Sequence, residues 1–326
     1  MMTRRLARLG LGGAVAALWV GLAWADPAMD LALGNSPPAT PVTSAAVPRV
    51  DTGFFDDILA AWRRDVAEAT ATQPHWASPI TTTTPLLKER VRFDFDVENS
   101  GNGTTTDVID GGKGVDFIVS PTNEIQLAAP PYYVRSGVAG VGVKNKGAIA
   151  PLAGWNDWTF LRVEQRLAAS PETAGNYVVT TWLQVQAPTG IARLTSTAWQ
   201  LVPKIEFGKG FGDFVVQSTV GASIPLSDAT KLGHPITTNI AFQYHIRPIF
   251  WPEFEVNWTY YPDGSRAGLS QVLLTPGVVL SSFKLGDGLG LTLATGYQVA
   301  VAPSYRKKPL TPSYDNAWVV STRLNF

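Results

Sequence analysis

Residues 90–98, which read RVRFDFDVE, alternate charged and apolar side chains without exception. Successive side chains of a β-strand point to opposite faces of the sheet, so this alternation predicts a strand with one polar and one apolar face. The same pattern returns in residues 240–247, 254–260 and 289–301. Strands of soluble domains average about five or six residues, whereas tilted strands that cross a bilayer need about 9–11. The length of these runs therefore favours a membrane β-barrel over a soluble periplasmic β-protein.

The connections between the predicted strands alternate in length. The short turns are predicted at residues 121–122, 169–173, 208–212, 248–252 and 285–288. The longer loops are predicted at residues 99–111, 134–154, 188–196, 225–235, 262–269 and 302–316. Short turns at one end and longer loops at the other are typical of membrane barrels. The fold predicted for residues 88–326 is an all-β, transmembrane, antiparallel up-and-down β-barrel of about twelve strands, preceded by a short N-terminal helix.

The composition fits an exported chain with little surface charge. Of the 326 residues, 16% are charged and 45% are hydrophobic, whereas the charged share of soluble domains is about 25%. The formal net charge is +0, which predicts no nucleic-acid partner. The sequence contains no cysteine, which excludes disulfide bonds, thiolate metal sites and a catalytic thiol.

Residues 1–25 are predicted to be a cleaved signal peptide. Arginines precede the apolar stretch 9–24, and residues 23–25 read AWA, the A-x-A pattern of a cleavage site. An uncleaved N-terminal membrane anchor is the alternative. Residues 26–50 are rich in proline and alanine and are interpreted as a flexible linker. Export together with the barrel pattern predicts localisation in the outer membrane of a Gram-negative-type envelope.

Between the linker and the barrel, residues 51–87 predict a periplasmic helical segment. Apolar residues recur there at helical spacing, namely Phe54, Phe55, Ile58, Leu59, Trp62 and Val66. Such a stripe has to be buried against another surface. It can pack under the barrel, plug the lumen or dock a periplasmic partner, and the sequence leaves these three alternatives open.

Aromatic residues near the strand ends point to the membrane interfaces and to assembly. Those interpreted as interfacial girdle residues are Trp251, Trp258, Tyr260, Tyr261, Trp318 and Phe326. The last predicted strand alternates and ends on Phe326. A terminal aromatic residue on such a strand resembles the signal that the outer-membrane barrel-assembly machinery recognises. We therefore predict Phe326 as the assembly signal, with that machinery and outer-membrane lipid as partners.

Charged residues on the polar faces of the predicted strands are candidates for lining the lumen. They are Arg90, Arg92, Asp94, Asp96, Lys204, Glu206, His245, Arg247, Glu255 and Arg323. Both signs are present, so these side chains can pair across strands into a structural ladder. Alternatively, they can form a constriction that sets solute selectivity.

The sequence predicts no catalytic, cofactor-binding or metal-binding residues. Its three histidines, His75, His234 and His245, are far apart in the chain, and metal ligation needs a cluster of ligands. No G-x-S-x-G nucleophile motif is present. We therefore expect neither an enzyme nor a bound cofactor.

Four short motifs carry a resemblance to a known family. They read GWNDW at 154–158, APTG at 187–190, LTPG at 274–277 and GY at 296–297. Spread over residues 123–326, they resemble motifs of outer-membrane barrels assigned to the MetA pathway of phenol degradation. That family usually shows Gly-x-Gly-Asp in the first motif, where this chain has Asn156 in place of the second glycine. The resemblance implies transport of small, often hydrophobic or aromatic, compounds.

The predicted function is an outer-membrane channel or uptake barrel for passive transport of small organic solutes, hydrophobic or aromatic ones included. Barrels of about eight strands are filled by side chains, and those of about sixteen or more leave an open channel. An intermediate strand count predicts a narrow or plugged pore. The alternative is a structural or interaction barrel whose N-terminal helix docks a periplasmic partner.

Overall fold

The structure is a computed structural model that describes residues 53–100, 103–111, 113–137, 152–196, 198–286, 288–302 and 314–326. The predicted signal peptide and linker, residues 1–25 and 26–50, lie outside the described residues. Over the ranges given, no helix combines the length and the apolar character needed to cross a membrane.

The described residues form twelve antiparallel strands and one short N-terminal helix, α1 (Gly53–Ala71). The first six strands are β1 (Arg90–Asn99), β2 (Thr105–Ile109 and Gly114–Ser120), β3 (Asn123–Ala128 and Tyr132–Ser136), β4 (Leu152–Trp155 and Trp158–Ser170), β5 (Tyr177–Ala187) and β6 (Gln200–Phe211). The other six are β7 (Phe214–Ala222), β8 (Ile236–Tyr244), β9 (Phe250–Tyr260), β10 (Ser270–Gly286), β11 (Leu289–Ala302) and β12 (Asn316–Asn325). A short helix, α2 (Ala229–Leu232), a 3₁₀ turn (Gly264–Arg266) and the pair Ile224–Pro225, which bonds to β6, lie in the loops.

The first and last strands close the barrel. β1 and β12 pair antiparallel from Arg90 opposite Asn325 to Asn99 opposite Asn316, and the other strands pair with their sequence neighbours. The sheet therefore has no free edge among the described residues. In lipid an edge would leave backbone N–H and C=O groups without partners. The predicted antiparallel barrel with a short N-terminal helix is confirmed.

Three neighbouring strands are interrupted, and local backbone chemistry explains two of the breaks. β2, β3 and β4 break at residues 110–113, 129–131 and 156–157. Asp110 takes a left-handed conformation with φ 55°, and Pro130 and Pro131 have no N–H to give to the sheet. The predicted loop at 99–111 is wrong in its second half because Thr105–Ile109 belongs to β2.

The wall is polar inside and apolar outside. In β1, Arg90, Arg92 and Asp94 are buried, whereas Val91 and Phe93 are 41% and 38% exposed. Other exposed apolar residues on the strands include Leu127, Val163, Leu183, Phe207, Phe254 and Val320. A soluble β-protein buries its apolar faces, so this inverted pattern fits a barrel surrounded by lipid.

Two of the predicted girdle residues are buried instead. Trp251 and Tyr261 are each 6% exposed, whereas Trp258, Trp318 and Phe326 have a third or more of their surface accessible. Trp251 lies on the inward face of β9, where its ring stacks on His245 with centroids 4.1 Å apart. Its closeness to a strand end was misleading, because inward or outward orientation follows the parity of the strand.

Candidate functional site

The lumen is occupied by a segment of the chain itself. Residues 73–89, between α1 and β1, lie inside the barrel, and we call them the plug segment. Ile80 and Thr82 in this segment are fully buried, and Leu86 and Leu87 are each 1% exposed. Trp76, Ile80 and Leu86 pack against an apolar cluster on the inner wall that includes Val178, Val215, Trp251, Val279, Ala294 and Val319. The three alternatives for the region before the barrel concern the apolar stripe of the helix. The structure places residues 73–89, which follow α1, in the lumen, whereas most of α1 is exposed and only its Ala69 is buried.

The two ends of the plug segment are joined to each other. The Gln73 side chain donates to the Leu87 carbonyl at 2.8 Å and accepts from the Leu87 N–H at 3.0 Å. Arg166 of β4 donates to the carbonyl of Ala69 at 2.8 Å, at the C-terminal end of α1. A cation at this position also favours the helix dipole. The segment therefore enters and leaves the lumen at the same place.

The tip of the plug segment is held by one carboxylate. Glu255 of β9 accepts hydrogen bonds from the backbone N–H of Thr81 and Thr82 at 2.7 and 2.6 Å. It also accepts from both threonine hydroxyls, each at 2.5 Å. The carboxylate is fully buried, so these four donors replace the water it would otherwise bind. Hydrogen bonds to a charged acceptor are stronger than neutral ones, which makes Glu255 the main anchor of the tip.

Glycines make room for the same tip. A Cβ at Gly277 of β10 would lie 2.3 Å from the Cδ1 atom of Ile80, and one at Gly296 of β11 would lie 3.2 Å from it. The wall therefore approaches the plug closely on the side of β10 and β11.

Arginines of the first and last strands bind the backbone of the plug segment. Arg323 donates to the carbonyls of Ser78 and Pro79, each at 2.5 Å, and Arg92 donates to the Ile80 carbonyl at 2.5 Å. Arg90 donates to the Ser78 hydroxyl at 2.8 Å. These bonds satisfy carbonyls that an irregular buried chain would otherwise leave without partners.

Strands on the opposite side complete the attachment. Gln217 of β7 donates to the Ala77 carbonyl and accepts from the Thr84 hydroxyl, both at 2.8 Å. Thr180 of β5 donates to the Pro85 carbonyl at 2.6 Å. The plug segment is thus hydrogen-bonded to β1, β5, β7, β9 and β12.

The plug segment also contacts the short turn between β4 and β5. The backbone N–H of His75 donates to Glu172 Oε1 at 2.5 Å, and its Nδ1 lies 3.2 Å from Oε2. Burial alone would raise the pKa of the Glu172 carboxyl, but the hydrogen bonds from His75 outweigh it and hold that pKa below its ordinary value. A carboxyl with a lowered pKa stabilises the docked state above its free pKa, so the contact weakens as the pH falls through the lowered value.

Little space remains where the plug segment meets the wall of β1 to β6. The void bordered by Thr83 and Thr84 on the plug and by Arg162, Trp182 and Glu206 on the wall is about 10 Å³. A single water needs about 10–15 Å³ of such volume. No solute therefore fits between the plug segment and this part of the wall.

Most of the predicted lumen residues face the interior, and one does not. Arg90, Arg92, Asp94, Glu206, Glu255 and Arg323 are buried there, and Asp96, Lys204 and His245 are partly buried. Lys204 lies over the Trp182 ring with its Nζ 4.2 Å from the centroid. Arg247 is exposed in the turn after β8, which ends at Tyr244, so strand parity no longer applies to it.

Two of the predicted lumen charges, Arg90 and Arg92, form ion pairs with carboxylates. Arg90 pairs with Asp116 at 2.6 Å, and Arg92 pairs with Asp94 at 2.8 Å, so both acid–base pairs are formed within the wall.

The sequence did not reveal the plug residues that bind these and other wall groups, above all Thr81 and Thr82. Residues 73–89 have no strand or helix periodicity, and the run of four threonines at 81–84 was their only unusual signal.

Withdrawal of the plug segment can be followed with a single thiol, since the native chain has no cysteine. We expect Ala77→Cys, at a position 4% exposed, to react slowly with a membrane-impermeant maleimide. Glu255→Ala removes the acceptor of four hydrogen bonds, and each bond to a charged group is worth about 1.5–3 kcal/mol. The labelling rate should then rise by about tenfold or more.

The matched control for Glu255→Ala is Glu98→Ala in the same Ala77→Cys background. Glu98 is a partly buried carboxylate on the polar face of β1, and among the described residues it makes no hydrogen bond to the plug segment. Equal labelling rates in the two variants would contradict the role of Glu255 as the anchor.

Solved barrels share the general form of this chain at low similarity. The COG4313 outer membrane channel from Pseudomonas putida F1 matches with a TM-score of 0.48 and 11% identity over 76% of this chain and 98% of that one. The KdgM porin matches with a TM-score of 0.39 and 9% identity over 72% of this chain and 99% of that one. The NanC porin matches with a TM-score of 0.38 and 8% identity over 73% and 98%. Scores this low carry no argument about function.

Sequence comparisons give no family. No protein-family model matches the chain, and no curated protein matches it. The resemblance to barrels of the MetA pathway therefore stays a prediction.

Proposed function

We propose that this protein is an outer-membrane channel for passive transport of small organic solutes, and that the plug segment holds it closed in the conformation described. The observation that carries the proposal is the filling of the lumen. The space inside the wall is occupied largely by the plug segment, which enters and leaves the lumen at one mouth.

The strand number supports this proposal. A barrel of about eight strands is filled by its own side chains, whereas the twelve strands here enclose a larger interior. The wall behind the plug carries charged and amide groups, such as Glu255, Gln217 and Arg92, that water can solvate after the plug leaves. A lumen of this kind supports diffusion of solutes down a gradient without a cofactor.

The proposed class of solute rests on the wall charges and on the family resemblance. The paired charges of both signs on the wall favour neither cations nor anions strongly. Hydrophobic or aromatic solutes are implied by the family resemblance alone, so they belong to the proposal and should be compared with polar solutes of equal size.

The experiment that tests the proposal is single-channel conductance of the refolded protein in a planar bilayer, with and without residues 26–87. Conductance in the truncated chain alone supports a plugged channel. Equal conductance in both forms would support a channel but contradict the role of the plug segment as its barrier. Silence in both would overturn the channel proposal.

A second candidate function has an observation in its favour. On α1, Phe54 and Phe55 are 66% and 61% exposed, and Ile58 and Leu59 are 49% and 44% exposed. The C-terminal half of the same stripe is used by the barrel, since the Trp62 indole donates to the Ile118 carbonyl at 3.1 Å. An exposed apolar stripe of this kind suits a structural or interaction barrel that docks a periplasmic partner.

The barrel-assembly machinery is proposed as a partner through Phe326. Its backbone N–H donates to the Glu89 carbonyl at 3.2 Å, and its ring packs edge-on to Phe117 with centroids 6.5 Å apart. We expect Phe326→Ala to lower the folded, heat-modifiable fraction in cells by about half or more, while refolding in detergent is nearly unchanged, because one partly exposed ring contributes little stability. Phe254→Ala, which removes an equally exposed ring from β9, is the control, and an equal loss in cells for both variants would contradict the assembly role.

A further inference from the structure

Among the charged residues that the structure describes on the strands, two are exposed, and both are lysines at the short-turn end of the barrel. They are Lys209 of β6 and Lys284 of β10. Lys209 points outward in a run of apolar side chains, between Phe207 and Phe211, which are 46% and 61% exposed. A cation among lipid-facing side chains has to reach the head groups, because the hydrocarbon cannot solvate it.

The Lys209 side chain is directed toward the short-turn end. Its Nζ atom donates to the Gly175 carbonyl at 2.6 Å, in the turn between β4 and β5. The same atom lies 6.0 Å from the centroid of the Tyr177 ring and 5.9 Å from that of Phe211. An ammonium group has three donors, so two remain available after the bond to Gly175.

No carboxylate in the described part of the chain neutralises this ammonium. None lies within 4.0 Å of Lys209, and Glu172, in the same turn as Gly175, accepts from the His75 N–H at 2.5 Å. Lys209 lies two residues before the end of β6 at Phe211. Its charge is therefore held near the depth at which lipid head groups lie.

A shallow apolar groove leads from Lys209 along the outer surface toward the bilayer core. Its floor is Val179 of β5, which is partly buried and lies directly between Ala168 of β4 and Phe207 of β6. Leu167, next to Ala168, is 58% exposed and forms the other side of the groove. Strands two apart in a sheet are separated by about 10 Å, so the smaller valine between the two large side chains leaves room for one acyl chain.

We infer that Lys209 and this groove bind one anionic phospholipid of the periplasmic leaflet. The head-group phosphate accepts from Lys209 Nζ beside the Tyr177 ring. One acyl chain lies on Val179, between Leu167 and Phe207. A lipid with a net negative charge is favoured over a zwitterionic one, whose own cation competes with Lys209 for the phosphate. The site is on the outer surface of the barrel, so it requires neither conduction nor movement of the plug segment.

Native mass spectrometry of the full chain in a non-ionic detergent tests the inference with two lipids that share dioleoyl chains, phosphatidylglycerol and phosphatidylcholine. We expect one phosphatidylglycerol to bind about fivefold more tightly than phosphatidylcholine, the usual effect of one lysine near the surface. Lys209→Gln should remove this preference by weakening phosphatidylglycerol about fivefold. Val179→Phe, which fills the groove without changing the charge, should weaken both lipids.

Lys284→Gln is the matched control because it removes the same charge at the same end of the barrel. Lys284 lies beyond Leu280, where the pairing of β10 with β9 ends, so this variant should bind both lipids as the native chain does. Equal binding of the two lipids, or equal weakening of phosphatidylglycerol by Lys209→Gln and Lys284→Gln, would overturn the inference. Displacement of phosphatidylglycerol by millimolar glycerol phosphate would also overturn it, because the site would then recognise a free phosphate. All variants should first show native heat-modifiability, and the native preference together with Val179→Phe decides the question if Lys209→Gln does not fold.

Discussion

A chain that lacks residues 26–87 should form open channels in a planar bilayer, with conductance steps about tenfold or more above any step of the full chain, because wall side chains alone do not fill a barrel wider than about eight strands. The truncation removes α1 and all but the last two residues of the plug segment. The void of about 10 Å³ between the plug and the wall of β1 to β6 then becomes part of a continuous lumen. Solvent replaces the plug donors at Glu255 and the plug carbonyls at Arg323.

The matched control for this truncation is removal of residues 26–50 alone, which leaves α1 and the plug segment in place. This shorter truncation should conduct no better than the full chain. If both truncated chains are silent, although they fold by heat-modifiability, the barrel is no channel and the interaction-barrel candidate gains. If both conduct equally, the plug segment is not the barrier.

Replacing Asp116 with asparagine should lower the free energy of unfolding by about 3–5 kcal/mol, the usual cost of leaving one member of a buried ion pair unpaired. The Asp116 side chain is fully buried, and that of Arg90 is 7% exposed, with Arg90 Nε 2.6 Å from the carboxylate. Asp116 also accepts a hydrogen bond from Gln126. Urea unfolding of the refolded barrel, followed by tryptophan fluorescence, measures the change.

The double variant Arg90→Met with Asp116→Leu separates the pair from its neighbours. Removing both charges should recover much of the loss, because the uncompensated guanidinium is the costly group. Asp263→Asn is the exposed control, since Asp263 pairs with His234 on a loop at 2.7 Å and exposed pairs gain little. If Asp116→Asn behaves like this control, the Arg90 site is hydrated and the interior is not dry there.

The barrel was predictable because its signal is local and repeated. Residues 90–98 became β1 with the expected inward and outward faces, since parity depends only on the strand period. Parity failed where it was extended past a strand end, at Arg247. Parity alone would have placed the Trp251 ring on the inward face of β9. The ring was instead assigned to the membrane interface because Trp251 lies near a strand end.

The plug segment was not predictable because its structure is set by distant partners. Ile80 binds Glu253 across 173 positions of sequence, and Arg323 binds Ser78 across 245. Residues 73–89 have no period of their own, so their conformation is fixed only after the wall exists. The sequence offered a lumen plug only as one of three alternatives for the helical stripe at residues 54–66, and nothing in it indicated that residues 73–89 fill the lumen.

Because Gln73 and Leu87 are bonded to each other, both ends of the plug segment leave the barrel by one mouth, and the segment is not threaded through the barrel. The plug segment and the pore therefore belong to one molecule. Return of the plug segment to the lumen is a first-order event, and its rate does not depend on protein concentration. The tether fixes an effective concentration, on the order of millimolar for a short flexible link. A free peptide with the sequence of residues 73–87, added to a truncated barrel, would have to approach that concentration to block it as well as the native tether does.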